Sequence, residues 1–114
     1  SERKITLVGE ALWAAKRIVE TDNSSDFAFP RYNRGSATAA NSASAALNKW
    51  LKQYVPVGCT MHSFRHSMRD RLRAVQCPSD ITDQIGGWAT DGVGQLYGSG
   101  YPMSVLREWL EKAV

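Results

Sequence analysis

The run His62-Ser63-Phe64-Arg65-His66-Ser67-Met68-Arg69-Asp70-Arg71-Leu72-Arg73 most narrows what this chain can fold into. Placed on a helix at about 100° per residue, His62, Arg65, His66, Arg69 and Arg73 fall on one arc about 100° wide. Phe64, Met68, Leu72 and Val75 fall on another. A helix divided in this way buries its apolar stripe in a core and presents imidazoles and guanidiniums outward. The basic arc has two readings, a solvated surface face or a seat for an anion such as phosphate. Two histidines interleaved with the arginines favour the second.

The rest of the chain supplies helices for that stripe to pack on. Glu10 to Thr21 carries Leu12, Ala15 and Val19, widened by Ala11, Ala14 and Ile18, and reads as a helix packed on a core. Thr38 is placed to cap a helix running to about Tyr54 through Ala43, Ala46, Leu47, Trp50 and Leu51, which Pro56-Val57-Gly58 ends. Thr60 is a candidate cap for the arginine-bearing helix, and Pro78 interrupts that helix after Gln76. Ser79 or Asp80 then starts another, through Ile81 and Ile85 to Gly86-Gly87. Pro102 fits the first turn of a last helix whose Met103, Leu106, Trp109, Leu110 and Ala113 form an apolar stripe, closing the core or docking on a neighbouring subunit. Arg3-Lys4-Ile5-Thr6-Leu7, bounded by Gly9, is β-prone and predicts one short strand. The expected fold is mainly α with one short N-terminal strand or a small β element.

Asp22 to Thr38 has no helical period, and a connection of this length is mobile or functional. The rings of Phe27-Ala28-Phe29-Pro30-Arg31-Tyr32 are expected to pin it to the core, leaving Arg31 and Arg34 to touch the backbone of a polyanionic partner. Asp91 to Tyr101 holds four glycines in eleven residues, which no helix favours. It is either an ordinary surface linker or a segment whose freedom lets Tyr97 approach and leave a target.

Composition bounds these readings without choosing among them. At 114 residues, with 14 Lys and Arg against 11 Asp and Glu for a net +3, the chain is one domain with a mild cationic bias. No run of about eighteen apolar residues and no basic-then-apolar N-terminal segment is present, so neither a membrane span nor a signal peptide is expected. Cys59 and Cys77 have no metal-ligand spacing and read as reduced thiols of a reducing compartment. No metal or cofactor is expected.

His62-Ser63-Phe64-Arg65-His66 resembles the His-x-x-Arg-His box of tyrosine recombinases, the phage integrases. Ile85-Gly86-Gly87-Trp88 resembles that family's Leu-Gly-His segment, with Trp88 in place of the second active-site histidine. Tyr97 follows Trp88 by nine residues, the interval the family leaves before its nucleophile. The resemblance implies a DNA breaking-rejoining domain, with residues 1–114 its C-terminal portion. The family's hairpin lysine and its upstream catalytic arginine have no counterpart in the sequence, Lys4 lying inside the matching strand. The upstream part of the catalytic domain and the N-terminal DNA-binding domain are likewise expected outside it.

The implied activity is site-specific DNA recombination or integration. Tyr97 attacks a phosphodiester to give a 3′-phosphotyrosyl link and a 5′-hydroxyl, which a second hydroxyl later reverses. Arg65 supplies a planar bidentate donor to the phosphate and stabilises the phenolate. His62 donates to a non-bridging oxygen or moves a proton. Trp88 can hold an oxygen and shield the site but cannot be a base, because indole only donates. His66 packs beside the helix and orients it. Double-stranded DNA is the implied partner, with self-association of the full-length protein on it, in the cytoplasm of a bacterium or from a phage. The rival reading is a noncatalytic helical DNA-binding module, holding phosphates through Arg65, Arg69 and Arg73.

Overall fold

A computed structural model describes residues 3–21, 24–88 and 100–114. These form α1 (Gly9–Thr21), a 3-10 turn (Pro30–Tyr32), β1 (Asn33–Arg34), β2 (Ala37–Thr38), α2 (Ala40–Leu51), α3 (Ser63–Ala74), α4 (Ser79–Gly86) and α5 (Met103–Ala113). The chain is mainly helical, as its periodicity predicts. It divides into two compact units, residues 1–13 with 65–114, and residues 14–64.

The first unit holds the core. Val8, Leu72, Cys77, Ile81, Ile85, Leu106, Leu110 and Ala113 are buried together, with Met68, Val75, Val105 and Trp109 packed on them. Leu72 and Leu106 are sealed from solvent, each such leucine contributing about 1.5–3 kcal/mol relative to exposure. The apolar stripes of α3 and α5 therefore meet in this core, as expected, except that Phe64 and Met103 at their N-terminal ends stay exposed. A free-standing stripe end has nothing to pack on when the neighbouring turn lies beyond the core.

Both α3 and α4 end by a definable device. Gln76 sits at φ 60, and its N–H reaches Arg73 O at 2.9 Å while the Cys77 N–H reaches Leu72 O at 2.9 Å. That pair of bonds is a Schellman closure made with Gln where Gly is usual. Gly87, at φ 64, closes α4 by donating to Asp83 O, and the Trp88 N–H bonds the same carbonyl at 3.0 Å.

The expected strand at Arg3–Leu7 is not formed. Among the described residues it has no strand to pair with, and without a ladder β propensity alone fixes nothing. Its polar groups reach helix carbonyls instead: Arg3 Nε donates to Ile85 O at 3.2 Å and Thr6 Oγ1 to Met103 O at 3.2 Å.

The small β element lies in the second unit, between α1 and α2. Asn33 pairs with Thr38 and Arg34 with Ala37, around a turn that Gly35 opens at φ 63. This displaces Thr38 from the capping role expected of it: it belongs to β2, its hydroxyl donates to Asn33 Oδ1, and Ala39 stands at the cap of α2. The helix also stops at Leu51, with Lys52–Tyr54 forming a turn. Leu51 is the one residue buried among those described in this unit. Phe27 and Phe29 are exposed rather than pinned to a core, and α1 has no buried residue. Both departures share a cause: neither the two loop phenylalanines nor the apolar stripe of α1 meets enough opposing apolar surface to be covered.

Candidate functional site

The arginine-bearing helix begins with a reciprocal turn. The Thr60 N–H donates to Ser63 Oγ at 2.9 Å, and the Ser63 N–H donates to Thr60 O at 2.9 Å. Ser63 Oγ thus satisfies the Thr60 N–H in the turn that leads into α3, whose first residue is Ser63; these bonds use the backbone of Thr60 and not its hydroxyl, the group expected to cap. His62 precedes the helix and is exposed, as is His66 on its first turn.

Arg65 and Arg69, one turn apart on α3, both lie over the indole of Trp88. Their guanidinium carbons stand 4.5 and 5.1 Å from a Trp88 ring centroid. All three side chains are half-buried. Such contacts are worth about 0.5–2 kcal/mol each, more as water is excluded, and they offset the repulsion between two cations at i and i+4. The chemistry of the contact matters more than its energy. A cation–π contact uses the charge of a guanidinium and not its five N–H donors, which stay available to a phosphate oxygen pair.

The indole reaches this position because of two glycines. A Cβ built on Gly86 would overlap the six-membered ring of Trp88, so the ring lies across the bare backbone of the last helical residue. Gly87 supplies the left-handed turn, and a Cβ there would come within 2.6 Å of Arg3 Nη1. The Gly-Gly-Trp sequence is thus a seat for an aromatic platform. Trp88, expected to hold an oxygen and shield the site, lies against Arg65 and Arg69. Arg3, which sequence reasoning passed over as part of a strand, lies against the same Gly87; an arginine with no visible partner in sequence gave no signal of it.

The other site residues divide clearly. Arg73 stands 3.8 Å from Asp70 in a surface pair, worth little in water but enough to lower its claim on a ligand. Arg31 is exposed, 5.8 Å over the ring of Tyr32, and with Tyr32, Thr38 and Ser42 lines an open groove of about 460 Å³. Arg34 lies in β1. Tyr97 falls outside the described residues. No group of three or more His, Cys, Asp or Glu able to hold a metal exists among the described residues, and no described helix is long and apolar enough to cross a membrane.

Tyr101, the nearest other tyrosine to the expected nucleophile, is fully engaged. Its N–H donates to Gln84 Oε1 at 2.8 Å, its carbonyl accepts from Gln84 Nε2 at 3.1 Å, and its hydroxyl donates to Asp80 Oδ2 at 2.5 Å. The carboxylate that accepts its hydrogen bond holds the phenol above its ordinary pKa. A nucleophile needs the opposite shift, so Tyr101 reads as an anchor to α4.

Comparison of the chain with known protein families, with curated proteins and with solved structures finds no match in any of the three.

Proposed function

We propose that this chain is part of a DNA breaking-rejoining enzyme of the tyrosine recombinase type, in which Arg65 and Arg69 hold the scissile phosphodiester and Tyr97 attacks it. The observation that carries this reading is the paired stacking of Arg65 and Arg69 on Trp88. It brings Arg65, from the segment resembling the His-x-x-Arg-His box, against Trp88 of the Gly-Gly-Trp. Attack on a singly charged diester produces a more highly charged pentacoordinate species, and preorganised donors aimed at that charge are typically worth about 10²–10³-fold in rate each. Arg65 offers its N–H edge to two non-bridging oxygens, Arg69 adds a second positive charge, and His62 transfers or shares a proton. Trp88 keeps both guanidiniums oriented, so that little reorganisation is needed when the phosphate arrives.

The test uses a protein carrying this chain together with the upstream arginine and lysine that the resemblance requires. On a nicked duplex whose cut strand diffuses away, a covalent protein-DNA adduct should accumulate and be absent from Tyr97→Phe. If the adduct never forms while duplex binding still depends on Arg65 and Arg69, the noncatalytic DNA-binding module is the correct reading.

A further inference from the structure

The second unit exposes aromatic surface that the proposed phosphate site does not use. Trp50, in the last turn of α2, and Tyr54, just beyond it, are 54 % and 66 % exposed. Their ring centroids are 4.8 Å apart at an interplanar angle of 47°, so the two rings support one another and leave outer faces open. Lys49 precedes Trp50 in sequence and Lys52 stands two residues on, at the C-cap of α2; both are exposed, and neither makes an ion pair among the described residues. The charge setting is one-sided over a long stretch. From Phe27 through Arg69 the chain carries Arg31, Arg34, Lys49, Lys52, Arg65 and Arg69 and not one Asp or Glu.

We infer that Trp50 and Tyr54 form a stacking face for the unpaired bases of a single DNA strand, with Lys49 on its backbone. Aromatic faces beside mobile cations are what sequence-tolerant single-strand binding needs, because every base has a π-face and every nucleotide a phosphate. A duplex cannot use such a face, since its base faces are covered by their neighbours. A protein partner fits less well: lysine is depleted at protein interfaces, whereas exposed Lys49 and Lys52 lie within two residues of Trp50 in sequence, and the acid-free stretch favours a polyanion. The inference does not depend on Arg65, Trp88 or Tyr97, so it stands or falls apart from the cleavage chemistry.

The experiment measures anisotropy of a fluorescein-labelled oligothymidylate, and of a hairpin duplex, titrated with the 114-residue chain. Trp50→Ala and Tyr54→Ala should each weaken oligothymidylate binding by about tenfold while leaving duplex binding nearly unchanged. Trp50→Phe should retain most of the affinity, and Lys49→Gln should flatten the salt dependence by about 0.7 in log–log slope. Photo-cross-linking of a 5-iodouracil oligonucleotide to the unmodified chain avoids any question of variant folding, and adducts should map to Trp50 or Tyr54. Adducts confined to other residues, or an unaltered oligothymidylate affinity in Trp50→Ala, would overturn the proposal. So would a dimer that Trp50→Ala dissociates without changing oligothymidylate binding, which would assign the face to a second copy of the chain.

Discussion

The Arg65 guanidinium lies 4.5 Å from the centre of a Trp88 ring, and Gly86 is what lets the indole lie there. Gly86→Ala tests this dependence with a sign that helix propensity alone would get wrong. Ala is favoured over Gly in a helix interior by about 1 kcal/mol, yet here the new methyl would occupy the space of the ring. The variant should be destabilised by about 1–3 kcal/mol, the usual cost of overpacking. Its near-ultraviolet circular dichroism should lose the Trp88 contribution. Unchanged or increased stability would mean that the ring does not rest on Gly86.

Duplex DNA binding should weaken as salt rises, because phosphate contacts release counterions. Arg65→Ala and Arg69→Ala should each lower the log–log salt slope by about 1, while Arg73→Ala, already beside Asp70, should change it less. Trp88→Ala should reduce affinity although it removes no charge, through loss of orientation in both arginines. Titration at two salt concentrations checks all four. A Trp88→Ala protein with unaltered affinity would reduce the stack to packing.

The stripe of α3 was legible in sequence because three- and four-residue spacing maps directly onto a buried face, as Leu72 and its neighbours Met68 and Val75 show. Arg3–Leu7 was misread because a strand is defined by its partner, which no local pattern reveals. The Thr38 cap failed for a related reason: Asn33 lies across a hairpin turn and competes for its hydroxyl. Arg65 and Trp88 were both named from sequence, but that they touch was not. Twenty-two intervening positions and two glycines set the contact, and a glycine's role as empty space is visible only once something fills it. Gln76 at φ 60 was equally hidden, since the αL position normally announces itself with Gly or Asn.

Leu72→Ala should cost about 2–5 kcal/mol, the range for emptying a closed leucine site, because Leu72 is sealed from solvent. Phe64→Ala, on the same sequence stripe but 57 % exposed, should cost under about 1 kcal/mol. Urea unfolding of the two variants measures the contrast, and equal losses would contradict the burial of one and the exposure of the other.

Tyr101 gives a pH signature. Its phenol is held above 10.0 by the hydrogen bond to Asp80. The folded state binds this proton more tightly than the unfolded state does. The contribution is therefore fully present below the unfolded value of about 10 and is lost as pH rises through the higher folded value. Melting temperature should fall between about pH 9 and pH 11 more steeply in the wild type than in Tyr101→Phe, which has no phenol to ionise. Parallel profiles would show that Asp80 does not hold the hydroxyl.

The two cysteines should separate kinetically. Cys77 is buried and Cys59 half-buried, and burial pushes the Cys77 thiol up, so less of it is the reactive thiolate. A maleimide should label Cys59 first in the folded protein and reach Cys77 only on unfolding. Mass mapping of singly labelled protein decides between them.

The last prediction concerns the chemistry itself. The resemblance calls for an arginine and a hairpin lysine that have no counterpart among these residues, and members of a preorganised site act together, so that losing two is not the sum of losing each. The 114-residue chain alone is therefore expected to bind DNA and form no adduct. With the missing cations supplied on a longer chain, Tyr97→Phe should abolish the adduct and leave noncovalent binding nearly unchanged, since one hydroxyl is removed. Arg65→Ala should impair both, because its guanidinium holds the phosphate before attack and compensates its charge afterwards. Tyr101→Phe should still form the adduct, its hydroxyl being committed to Asp80. An adduct that survives in Tyr97→Phe and disappears in Tyr101→Phe would move the nucleophile to Tyr101 and require the Asp80 bond to break during reaction.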